Sequence, residues 1–254
     1  MKHFVQPNSV VRQIWGKSDT ILFIFAGASA EFALNKAVDW LYFTGRLPAD
    51  PLGRLFSTVG YARRIVFSDE AGAHRAIDGM AAIHAGVEAK RGYSIPDWAY
   101  RDVLFMLIDY SIRAYELLER RLTTAQKAEV FEVFNRVGTR MGIKGLPETY
   151  PAWLKAREEH LQQNLQRSKY TSDLYRQYRT HLGNLRYWLL LQAQVLVVPE
   201  LVRRQLNLWR VPILKPVLVA YKLSRAFNGD RLLKELILPP AYKREIKELD
   251  VDRL

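Results

Sequence analysis

The feature that most constrains this chain is the length of its helix-compatible runs. "TILFIFAGASAEFALNKAVDWLYF" (20–43), "AYRDVLFMLIDYSIRAYELLERRL" (99–122) and "TSDLYRQYRTHLGNLRYWLLLQAQVLVV" (171–198) each pass twenty residues without a proline. Nowhere do polar and apolar residues alternate strictly over a strand's length, so a sheet face has nothing to be built from. The fold expected is all-α, with roughly eight to ten helices. Ser18 and Asp19 offer a cap for the first long run, which is apolar nearly all round and so belongs at the centre. Thr123 to Gln126 reads as a capping box opening the next helix. The run 171–198 reads as one helix ending at Pro199. The organisation expected is an arm over 1–18, a helical domain over 19–200, and a helical extension over 201–254 packed on it.

The segment "GMAAIHAGVEAKRG" (79–92) holds one histidine in a mostly apolar helix. Ser68, Asp69 and Glu70 cap that helix at its start, and Lys90 and Arg91 suit the dipole at its end. Ile77, Met80, Ala81, His84 and Val87 recur at steps of three and four, which places His84 in the middle of an apolar stripe. A buried imidazole needs a partner. It is either a core histidine satisfied by a neighbouring carbonyl or carboxylate, or the single axial ligand of a haem iron. Upstream, Arg54 and Thr58 lie at i, i+4 and share a helix face, with Ser57 beside them. A cation and a hydroxyl so placed suit a carboxylate or an oxygen species; the plainer reading is a helix cap with an exposed arginine. Asp109 sits mid-run in "MLIDYS" and is expected to bond a neighbouring helix or an arginine, because a buried carboxylate is costly alone.

Other chemistries lack their residues. Without cysteine there are no disulfides, thiolate metal sites or thiol catalysis. No two of the five histidines frame a zinc-protease motif, and no nucleophile elbow, Walker loop or Rossmann glycine pattern occurs. The net charge of +12 is spread along the chain rather than gathered into an arm, so no nucleic-acid partner is expected. The N-terminus carries charges with no apolar run before them, and no uncharged run reaches the ~20 residues of a membrane span. The chain is expected in the cytoplasm, with peripheral membrane association open to it.

The run "DPLGRLFST", the "IHAGVE" helix some thirty residues on, the "YS" after it, "MLIDYSIRAYE" followed by "LT", and "LPETYPAW" occur in an order that resembles a known family. It is the catalytic domain shared by rubber oxygenase (latex-clearing protein) and the endoplasmic-reticulum-bound oxygenase of the mycophenolic acid pathway. The resemblance runs from about Ile21 to Leu165. It implies a globin-like helical core with additional helices, holding haem b, with His84 as proximal iron ligand. Arg54 and Thr58 fall on the family's arginine-x-x-lysine-threonine motif beside the distal pocket, and Ser57 stands where that motif has its lysine. Asp39 lies near the place of a distal acidic residue that assists proton removal. Where many members carry a histidine in the following helix, this chain has Leu104 and Phe105.

The function expected is a haem-dependent oxygenase using dioxygen on a hydrophobic, isoprenoid-like substrate. Two other readings stand beside it. One is a haem-free relative that carries a lipid in the same slot. The other is a peripheral membrane protein docking through its basic, apolar C-terminal third, Leu201 to Lys243.

Overall fold

The computed structural model describes residues 2–43, 45, 50–209 and 215–225. The described residues form eleven helices and no strand: α1 Val10–Trp15, α2 Ser18–Phe32, α3 Val38–Phe43, α4 Pro51–Phe67, α5 Glu70–Arg91, α6 Asp97–Leu118, α7 Thr124–Arg140, α8 Tyr150–Gln163, α9 Lys169–Val197, α10 Glu200–Gln205 and α11 Lys215–Arg225. The all-α expectation holds, with one helix more than its upper count.

The centre is the α2–α6 pair. They can approach closely because Gly27 on α2 lies directly under the Tyr110 ring of α6, where a Cβ would come within 2.2 Å of the ring. Trp15 of α1, Phe25 of α2 and Phe134 of α7 meet edge-on or tilted in the same core. Residues before Ser18 are part of it, since Phe4, Val5, Val11, Ile14 and Trp15 are all buried.

Three local readings are corrected. The first long run does not continue to Phe43. It stops at Phe32 because Asn35 turns the chain: its Oδ1 accepts the Ala37 N–H at 2.8 Å and its Nδ2 donates to Asp102 at 3.0 Å. Ser18 is not the cap of α2 but its first residue; the cap position is Lys17, which makes no capping bond. The run 171–198 is helical throughout but kinked at Gly183, where φ is 71° and ψ 170°. The caps at Asp69 and Thr123 stand as expected, the latter as a complete capping box. No described helix is long and apolar enough to cross a membrane.

Candidate functional site

Two places in the molecule gather chemistry. The first is the outer half of α5. Only Ala73 and Ile77 of its twenty-two residues are buried, both in the first half. Met80 still packs on the core. Beyond it Ile83 is 43% exposed, and Ala81, His84 and Val87 are half-buried. The apolar stripe read from the sequence is therefore real in position, but only its N-terminal half enters the core. His84 is not a fully buried core residue.

What surrounds His84 fixes its ring. The ring meets Tyr100 of α6 edge-on, centroids 5.3 Å apart. The Tyr100 hydroxyl donates to Glu88 Oε1 at 3.2 Å, and the same oxygen accepts the Ile95 N–H at 2.7 Å. Burial, then the Glu88 carboxylate, pushes the Tyr100 hydroxyl well above its usual range, so it stays protonated and donating. Gly92 closes α5 in the left-handed conformation, φ 74°, with its N–H on the Glu88 carbonyl. His74 is placed elsewhere, edge-on to Phe4 at 6.0 Å.

Helices α4 and α5 pack together across the Ser68–Asp69 connection. Arg54 lies fourteen residues before that turn and His84 fifteen after it. At 1.5 Å per residue each stands about 21–23 Å along its own helix from that turn. Thr58 is half-buried and shares the face of buried Ala62, whereas Ser57 is exposed. Arg54 falls on the Thr58 face by its i, i+4 spacing; its side chain lies outside the described residues. Asp39, on α3, joins α5: Arg91 Nη2 donates to Asp39 Oδ2 at 2.6 Å. Arg91 follows His84 by seven residues, so α5 brings His84 and the Asp39 pair onto one face. Asp39 is thus engaged with a cation.

The second place is a buried ionic cluster between α2, α6 and α8, which sequence reasoning found only in part. Asp109 meets arginines as expected: Arg157 Nη2 at 2.9 Å and Arg113 Nε at 2.8 Å. The partners were missed. Arg157 also donates two bonds to Glu31, at 2.5 and 2.6 Å. His160 sets Nε2 against Glu31 at 2.8 Å and Nδ1 against Asp102 at 2.6 Å; the second is a close ion contact that falls short of an aligned hydrogen bond. The Tyr110 hydroxyl completes the group on Glu31 at 2.8 Å. Burial would raise the Glu31 carboxyl, but Arg157 and His160 outweigh it and hold the group at about 2. Burial likewise opposes the charged form of His160, and the Asp102 and Glu31 carboxylates reverse that, raising its pKa. One signal was present in the sequence: on α8, Arg157 and His160 fall in register with Trp153 and Leu161, all four buried. Among the described residues no three His, Asp or Glu side chains could hold a bare metal ion.

The fold defines the class as an all-α helical domain. Residues 14–251 match the model of the family described as "ER-bound oxygenase mpaB/B'/Rubber oxygenase, catalytic domain". The chain belongs to that oxygenase family, and the match extends beyond the resembling stretch through the C-terminal helices. No curated protein and no solved structure matches the chain significantly.

Proposed function

We propose that the protein is a haem b-dependent oxygenase that uses dioxygen on a hydrophobic, isoprenoid-like substrate. The observation that carries this reading is His84 itself: an imidazole on the part of α5 that leaves the core while remaining apolar. Such a surface suits a flat, apolar, anionic cofactor held by a single side chain, and the residues present fit it. Haem, when bound, supplies the redox and dioxygen chemistry.

The rest is the work of the chain. His84 would hold the haem iron. Tyr100, its hydroxyl held by Glu88, packs edge-on against the His84 ring. Arg54 and Thr58 offer a cation and a hydroxyl toward the same space. Met80, Ile83 and Val87 flank His84 on the same stripe and would pack on the cofactor, excluding water. Asp39 stays paired with Arg91 and helps to fix the end of α5.

Purified protein expressed with haem supplied should show a Soret band and a b-type pyridine haemochrome. His84→Ala should fold but lose haem, with added imidazole restoring part of the band, while His74→Ala keeps it. A folded, colourless protein that refuses hemin would discard the oxygenase reading in favour of a lipid carrier. Loss of haem in the His74 variant alone would discard the ligand assignment.

A further inference from the structure

The guanidinium of Arg91 is held on one side and unmet on the other. Nη2 donates to Asp39 Oδ2 at 2.6 Å. The plane lies 3.9 Å over the Trp40 ring, with Phe43 at 5.3 Å. Nη1 is shut off from solvent and, among the described residues, has no acceptor. A buried guanidinium N–H left unmet is unfavourable, and guanidinium forks match carboxylates well. An oxygen brought by a ligand would supply the missing acceptor.

The position of Arg91 says which ligand. It stands seven residues beyond His84 on α5, about 20° round the helix and about 10 Å along it. The two residues thus present the same face two turns apart. The stack on Trp40 and the bond to Asp39 fix the fork in advance, so little freedom is lost when a partner arrives.

We propose that Arg91 is the propionate anchor: its Nη1 donates to a propionate carboxylate of the haem held at His84. This rests on the haem reading above. Because Asp39 already offsets the charge of Arg91, the carboxylate is recognised through a fixed N–H more than through net attraction. The sequence offered Arg54, with Thr58, for a carboxylate or an oxygen species; the structure offers Arg91 with its donor waiting.

The test compares two porphyrins on the full chain freed of haem. Hemin and hemin dimethyl ester differ only in the carboxylates, and uptake is followed by the Soret band. Wild-type protein should bind hemin roughly ten- to hundred-fold more tightly, the worth of one charge-assisted hydrogen bond. Arg91→Gln should abolish that preference and leave ester affinity unchanged. Asp39→Asn removes the α3–α5 ion pair but keeps the donor, so the preference should survive; circular dichroism shows that each variant folds. If Arg91→Gln does not fold, Arg91→Lys makes the same comparison with a charge but no fork, and its preference should drop. A preference retained in Arg91→Gln, or lost equally in Asp39→Asn, overturns the proposal. Equal wild-type affinity for both porphyrins overturns it alone, whereas uptake of neither overturns the haem reading and this proposal with it.

Discussion

Glu31, Asp102 and Asp109 bring three carboxylates into a cluster where the permanent cations are Arg157 and the half-exposed Arg113. The sum is neutral only if His160 carries its proton, and both its ring nitrogens do face carboxylate oxygens. Neutrality matters because a buried, unpaired charge costs several kcal/mol. Arg157 is the keystone: its side chain is 5% exposed and bonds both Glu31 and Asp109. Arg157→Met should therefore lower the unfolding free energy by about 3–5 kcal/mol, since it strands two carboxylates. Arg113→Ala, which breaks a partly exposed pair with the same Asp109, should cost less than about 1 kcal/mol. Urea denaturation of the two variants measures the contrast; equal losses would mean the cluster is not the buried unit described.

At the scale of elements, two glycines set the shape. Gly27 lets α2 and α6 come together, and the space a methyl group would need is already filled by the Tyr110 ring. Tyr110 cannot step aside easily, because it is fully buried and its hydroxyl donates to Glu31. Gly27→Ala should destabilise by about 3 kcal/mol through overpacking. Gly183 works differently. Nothing lies within 4 Å of where its Cβ would be, yet φ of 71° with ψ of 170° suits glycine almost alone. Gly183→Ala should cost about 1–3 kcal/mol from backbone strain, with no clash. The two cases separate on enlarging the residue. Gly183→Val should add only modestly to the alanine loss, whereas Gly27→Val should prevent folding.

For the whole molecule, the cluster sets a pH window. Glu31 is held at about 2 in the fold against an ordinary 4.5, so its contribution is complete above 4.5 and drains as pH falls through 4.5 toward 2. His160 is raised above its ordinary 6.5, so its contribution is complete below 6.5 and is lost as pH rises through the folded-state value. Stability should peak between about pH 4.5 and 6.5 and fall on both sides. The net charge of +12 acts oppositely on the alkaline side, since self-repulsion eases as pH rises. His160→Gln isolates the local effect: urea midpoints should lose their alkaline decline in that variant. An unchanged alkaline decline would show that another group controls it.

The sequence by itself determined the class of fold and most of its helices. Helical periodicity and caps are local properties, so α5 with its Asp69 cap and α7 with its capping box could be read directly. His84 stood out because an imidazole on an apolar stripe is a local anomaly. Asp109 stood out for the same reason, and its arginine partners were anticipated in kind. What the tertiary structure decided were the partnerships between distant segments. Glu31 and His160 are 129 residues apart, Asp39 and Arg91 fifty-two, and no local pattern encodes either pairing. On α8 two of the four buried positions hold Arg157 and His160, whose burial is tolerable only once α2 and α6 bring carboxylates to them. The break after Phe32 is likewise nonlocal, since Asn35 turns the chain while bound to Asp102. Only the packed molecule shows that the apolar stripe of α5 runs out of the core partway along, because burial depends on what α4, α6 and α7 cover and not on the stripe itself.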